Sequence, residues 1–379
     1  MSKARPVEEP LAETLSAAPF VRVAAASDGD SLAAAGLLAR ACAGTDTPFQ
    51  LRLDDAPNTE DAVTVTIGPT AVDGDATLDR PASPTAFELA RRLGTGPDPI
   101  LALAGTIAAG ETVESADAAL DAARDSALID RQPGLALPTE DVPTGLAAST
   151  LLHGPFSGDE DAAAALVAEL DAGGEAHAAG DDDGSGGAFD RRLASLVAVD
   201  TVAAEGAAER AATQVERALR PYVTPDAPFR TLGGCADVLD AVARTAPAAG
   251  IPLALGEGSD DTTDAALAAW RKYGAAVHGG LRSATTRRHH GVWLLDIEDA
   301  DPAVLPAVAR LALAFRSPEP VALAVTDGAA AAAGESGIES AVTTATSAVD
   351  GTGHGTETTG WARFDSDTEQ FTDAFREAL

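Results

Sequence analysis

Apolar and polar positions alternate along the first third of the chain in blocks that predict strands and helices in turn. The run Phe20-Val21-Arg22-Val23-Ala24 reads as a short strand, the acidic turn Ser27-Asp28-Gly29-Asp30-Ser31 follows, and an Ala/Leu stretch through Ala41 has the composition of a helix. Residues 49–53 and 63–67 repeat the strand pattern, and residues 86–93 predict a short helix after Pro84. Residues 100–107 read as a further apolar strand and residues 116–129 as another helix. Alternation of this kind implies an α/β fold with a mostly parallel sheet.

Prolines 133, 138 and 143 make the next segment a loop-rich connection, and residues 162–170 predict a helix. Composition then shifts: residues 171–187 hold Gly173-Gly174, the run Asp181-Asp182-Asp183 and Gly184-Ser185-Gly186-Gly187, the pattern of a flexible solvated loop. One long Ala/Glu/Arg helix is expected over residues 189–219, ended by Pro221. Beyond it, residues 253–255, 292–297 and 321–325 predict strands, residues 235–244, 263–273 and 303–315 predict helices, and the alanine run 329–333 reads as low complexity. The expected architecture is two-lobed α/β: a first domain over 15–188, a connecting helix over 189–222 and a smaller α/β domain over 223–379.

Length supports that division, since 379 residues exceed what one hydrophobic core usually organises. Charge changes the picture more. Basic residues number 26 against 59 acidic ones, a formal charge of −33, and only Lys3 and Lys272 are lysines. Dispersed acid, scarce lysine and 4% aromatics resemble the composition of haloarchaeal proteins, whose acidic surfaces stay hydrated in molar salt. At about 1 M salt the Debye length is about 3 Å, so net charge no longer excludes an anionic partner and only close contacts count. No apolar run approaches the roughly 20 residues of a bilayer span, and the N-terminus lacks the apolar core of a secretion signal, so a cytoplasmic protein without a membrane partner is expected. Cys42 and Cys235 lie far apart with no C-x-x-C, which leaves no disulfide framework and no thiolate zinc site.

Asp28 and Asp30 fall on the loop between the first strand and its helix, at the carboxyl edge of a parallel sheet, where α/β proteins place ligands. Two carboxylates there are able to bridge a divalent cation, as in two-metal phosphoesterases. The segment Asp28-Gly29-Asp30-Ser31-Leu32-Ala33-Ala34-Ala35 resembles the first motif, H-x-D-x-D-G-x-x-A-A, of the DHH phosphoesterase superfamily. Leu101-Ala102-Leu103-Ala104-Gly105-Thr106-Ile107, Pro133-Gly134-Leu135-Ala136-Leu137-Pro138 and the segment from Ser149 to His153 resemble its archaeal RecJ-like branch. Thr231-Leu232-Gly233-Gly234-Cys235-Ala236-Asp237, with the later Gly353-His354 and Gly360, resembles the DHH-associated C-terminal domain, whose glycine-histidine loop approaches nucleic acid in the family.

This resemblance implies a manganese- or magnesium-dependent single-strand exonuclease or oligonucleotide phosphoesterase, but the departures weigh against turnover. The family histidine two positions before the first aspartate is Ala26, the glycine after the second aspartate is Ser31, and strand 63–68 carries no aspartate. No D-H-H tripeptide occurs; Asp79-Arg80-Pro81 stands where it should fall, and a later aspartate position is Ala108-Ala109. Two aspartates cannot supply the about four to six ligands that a manganese pair requires. The expectation is a catalytically degenerate RecJ-like replication or repair protein without a resident cofactor. It resembles the eukaryotic cell-division-cycle subunit of the replicative helicase, and its implied partners are single-stranded DNA and the GINS and MCM proteins.

The expected nucleic-acid surface is the stretch from Ala265 to Leu295, which has no acidic residue and carries Arg271, Lys272, Arg282, Arg287 and Arg288 with His289 and His290. Trp270 and Tyr273 interleave with these cations, as base-stacking aromatics would, although packing inward is the competing reading. Gly353 and His354 are a second candidate, since glycines let backbone approach phosphate. Ser157 lacks a nucleophile elbow and reads as a turn serine.

Overall fold

A computed structural model describes residues 8–54, 62–70, 72–174 and 185–379. Contacts divide the chain into two units that do not follow the expected boundaries. The first comprises Met1–Gln132, Ala136–Glu140 and Pro221–Trp270; the second comprises Pro133–Leu135, Asp141–Arg220 and Arg271–Leu379. Helix Asp260–Ser283 gives its first part to one unit and its last part to the other.

In the first unit, strands β1 (Val21–Ala25), β2 (Phe49–Leu53), β3 (Val63–Ile67) and β4 (Ala76–Leu78) form a parallel sheet in the order β2-β1-β3-β4. β1 is central and wholly buried, pairing Val21 with Phe49 on one side and Val63 on the other. Helices Gly29–Gly44, Ala82–Arg92, Pro99–Ala108 and Leu232–Thr245 pack together in this unit. The helix after β1 is buried along nearly its whole length, and its Ala and Leu residues allow that all-round packing. The two-residue strands β5 (Asp130–Arg131) and β6 (Tyr222–Val223) pair antiparallel.

In the second unit a six-stranded sheet runs β11-β12-β10-β9-β8-β7, from β7 (Thr285–His289), β8 (Val292–Asp296), β9 (Val321–Thr326), β10 (Ala329–Gly334), β11 (Thr352–Gly355) and β12 (Thr359–Arg363). Only β8 and β9 are parallel neighbours; the other pairs are antiparallel. One core joins Leu294, Leu323, Val325, Val342, Phe364, Phe371 and Phe375.

Several sequence expectations are corrected. Residues 100–107 are helical because Asp98 accepts from the Ile100 and Leu101 amides and Pro99 starts the helix Pro99–Ala108. Residues 253–255 fall in and at the end of helix Pro247–Ala254, again opened by a proline. The single helix over 189–219 is two, Ser185–Ala203 and Ala211–Ala218, with Gly206 between them at φ +74°. The alanine run 329–333, read from sequence only as low complexity, forms β10, buried along its length between β9 and β12. The two ends of the expected acidic loop 171–187 are helical, in Glu160–Gly174 and Ser185–Ala203; residues 175–184, with Asp181 to Asp183, lie outside the described residues.

Candidate functional site

The acidic turn sits where the sequence placed it, between β1 and helix Gly29–Gly44. Asp28 is the helix N-cap: its Oδ1 accepts from the Ser31 amide at 3.0 Å and its Oδ2 from the Ser31 hydroxyl at 3.0 Å. Asp30 is fully buried and reaches across to another helix. Helix Ala82–Arg92 begins after Pro81, which offers no capping side chain, and Asp30 supplies the cap: Oδ2 accepts from the Ala82 amide at 2.8 Å, Oδ1 from the Ser83 amide at 2.9 Å and from the Ser83 hydroxyl at 2.6 Å. Asp240, from helix Leu232–Thr245, approaches the same turn by accepting from the Gly29 amide at 3.1 Å, and Arg244 pairs with it at 2.9 Å.

A guanidinium faces both carboxylates. Arg80 lies 3.7 Å from Asp28 through its Nη1 and 4.0 Å from Asp30 through its Nε, and donates to the Ala108 carbonyl at 3.4 Å. Burial and the neighbouring Asp28 charge push the Asp30 carboxyl above its ordinary range, against the opposing pull of Ser83, Ala82 and Arg80. Arg80 is the residue the sequence reading undervalued. Its signal was present, because it lies in Asp79-Arg80-Pro81, the segment where the resemblance led us to look for a D-H-H tripeptide.

A divalent pair does not fit this donor set. Asp28 and Asp30 already accept two and three hydrogen bonds from amides and hydroxyls, and a positive side chain faces both groups. Among the described residues no cluster of three or more His, Cys, Asp or Glu side chains is arranged to hold a metal ion. No chemical step through a metal follows from these residues.

The basic stretch spans the second half of helix Asp260–Ser283 and β7. Trp270 is fully buried and donates through its indole N–H to Asp237 at 2.8 Å, and Tyr273 is buried as well, so the inward-packing reading holds and neither offers a ring to a base. Arg271 and Lys272 are exposed on helix Asp260–Ser283. Arg282 donates to the Ser157 and Gly158 carbonyls. On β7, Arg287 lies 3.9 Å from Asp296, while Arg288 pairs with Glu319 and holds that carboxyl below its ordinary range. Ser157 is a buried turn residue accepting from the Gly154 amide.

Gly353 and His354 lie on β11, at the opposite edge of the sheet from β7. Five strand spacings of about 4.8 Å put the two edges about 24 Å apart. Gly353 has a packing reason: a Cβ there would meet the Trp361 carbonyl at 2.6 Å and Thr346 Cγ2 at 2.8 Å. His354 stacks on Trp361 at 5.4 Å, and the Arg363 guanidinium lies 5.3 Å from the centre of the same ring. Trp361 and Arg363 were not singled out by sequence.

The uncharacterized protein rrnAC1427 of Haloarcula marismortui is 46% identical over 376 residues, covering 97% of this chain and 96% of the relative. The chain belongs to the rrnAC1427 family. A family model described as the C-terminal domain of that uncharacterized protein matches residues 284–377, which begin just ahead of β7 and end within the last helix. CDC45 from Entamoeba histolytica has a crystal structure with TM-score 0.57 at 8% identity, covering 98% of each chain, and the rrnAC1427-family chain shares its fold. A crystal structure of exonuclease RecJ bound to manganese aligns over 99% of this chain and 94% of its own at 14% identity and TM-score 0.49. The fold is therefore a two-unit α/β architecture shared with CDC45, in keeping with the two-lobed α/β expectation. Among the described residues, no helix is long and apolar enough to cross a membrane.

Proposed function

We propose that this is a catalytically degenerate RecJ-like protein of DNA replication or repair that works by binding rather than by hydrolysis, with single-stranded DNA and the GINS and MCM proteins as partners. The observation that carries the reading is Arg80 facing Asp28 and Asp30 while backbone amides and hydroxyls occupy the carboxylates. A positive charge fixed there opposes the entry of a second cation, and the acids become structural: one caps its own helix and the other caps its neighbour. The CDC45 fold supports a replication role. For single-stranded DNA, the remaining support is the exposed Arg271 and Lys272 with the partly engaged Arg287 and Arg288, since guanidinium contacts to phosphate persist in salt better than diffuse attraction.

The test is end-labelled single-stranded DNA with Mn²⁺ in about 2 M KCl, where screening leaves only short-range contacts. The expected outcome is a bound strand of unchanged length, with affinity lowered in an Arg287→Ala, Arg288→Ala double variant. Shortening of the strand that disappears in an Asp28→Ala, Asp30→Ala double variant would make the protein an exonuclease and reject the proposal.

A further inference from the structure

The second unit contains a cavity of about 230 Å³ whose walls include His153, Ser157, Thr201, Arg282, Phe315 and Arg316. We propose that it binds a phosphoryl anion, free or as the terminal group of a nucleotide. Arg282 is held by two neutral carbonyls, Ser157 and Gly158, rather than by an acid. Arg316 is exposed, and no ion pair engages it among the described residues. Burial first, then the neighbouring His278 and lastly the Arg316 and Arg282 charges, push His153 down to about 3. In a chain carrying −33, two guanidiniums without acidic partners at one cavity form a local positive field. Glu205 also lines the cavity and is exposed.

The hydrogen-bonding groups narrow the anion. Thr201 is 1% exposed, and its hydroxyl has no partner among the described residues. Ser157 accepts from the Gly154 amide and so keeps its own proton to donate. The imidazole tautomers follow from their partners. His278 Nε2 lies 2.9 Å from the Ser149 carbonyl and must donate to it, which leaves its Nδ1 as an acceptor in the neutral ring. The 3.2 Å contact between the two Nδ1 atoms then places a proton on His153 Nδ1 and leaves His153 Nε2 as an acceptor. The cavity thus combines two cations, two hydroxyl donors and one imidazole acceptor, with the exposed carboxylate of Glu205 also in its lining. A carboxylate, planar and without a proton at neutral pH, leaves that acceptor unmatched. A phosphoryl group presents oxygens in several directions, and with its second pKa at about 6 it retains a proton part of the time.

Calorimetric titration in about 2 M KCl with inorganic phosphate, a nucleoside 5′-monophosphate and citrate tests the assignment. Saturable binding of phosphate or the nucleotide at one site per chain is expected, weakened about tenfold or more by Arg316→Gln and also weakened by the near-isosteric Thr201→Val. Tighter binding of the nucleotide than of phosphate identifies a nucleotide terminus as the source, and equal binding identifies the free anion. Absence of saturable binding by both, citrate binding as tightly, or affinities unchanged in both variants overturns the proposal. The cavity lies in the second unit and Asp28 and Asp30 in the first, so the result is independent of whether those acids hold a metal.

Discussion

Asp28 and Asp30 were legible as a pair of acids at a sheet edge, because a D-x-D between an apolar run and an Ala/Leu run has few other placements. Their present task was not legible. Whether a carboxylate holds a metal or caps a helix depends on what lies opposite, and the opposing groups, Arg80, Ala82 and Ser83, come from about fifty positions later in the chain. Removing the guanidinium should leave two carboxylates repelling each other. Arg80→Ala is expected to destabilise the protein by about 1–2 kcal/mol near neutral pH, a value kept small because the ion-pair distances are long. The sign with pH follows from the raised Asp30 carboxyl. Its contribution is fully present below the unfolded value of 3.8 and is lost as pH rises through the folded value, so the variant's deficit should shrink toward pH 4 and grow toward pH 7. Urea unfolding at both pH values checks this. The His153–His278 pair has the opposite sense. Burial holds both rings neutral, at about 3 and about 4, so the unfolded chain takes up protons first as pH falls below 6.5. Stability should fall by about 1.4 kcal/mol per histidine for each unit below that value, and a His153→Gln, His278→Gln double variant should lose that slope in the same unfolding measurement.

Whole elements were legible where composition and burial agree. β1, β3, β8 and β9 combine Val, Ile and Leu in short runs, and all four appear at the expected positions. Helix Pro99–Ala108 was misread because a helix buried over most of its surface has no polar face, and eight apolar residues then look like a buried strand. The alanine strand β10 shows the converse. Five alanines favour a helix by propensity, yet β9 and β12 supply hydrogen-bonding partners along the run, and the small side chains fit the crowded interior. Ala331 is 1% exposed, so Ala331→Leu should overpack that interior and lower stability by about 1–3 kcal/mol. Thermal or urea unfolding that matches the parent protein would show that the strand has room to spare.

Across the whole molecule, the two-domain α/β plan was readable from alternation and length, but its borders were not. The first unit takes back Pro221–Trp270 after the chain has already begun the second, and no composition shift marks such a return. The expected nucleic-acid residues were likewise gathered by sequence proximity and motif, while sheet topology carries β7 and β11 to opposite edges. Charge was informative in an indirect way: in a chain at −33, the arginines that face carboxylates or line a cavity are the positions where structure and binding require a cation. The central claim, that Arg80 rather than a metal pair faces Asp28 and Asp30, is most directly tested by manganese electron paramagnetic resonance on the protein in about 2 M KCl, which suppresses diffuse binding to the acidic surface. The account predicts that the signal of free Mn²⁺ rises in proportion to the metal added. Loss of signal equivalent to two tightly bound ions per chain, abolished by Asp28→Ala with Asp30→Ala, would contradict it.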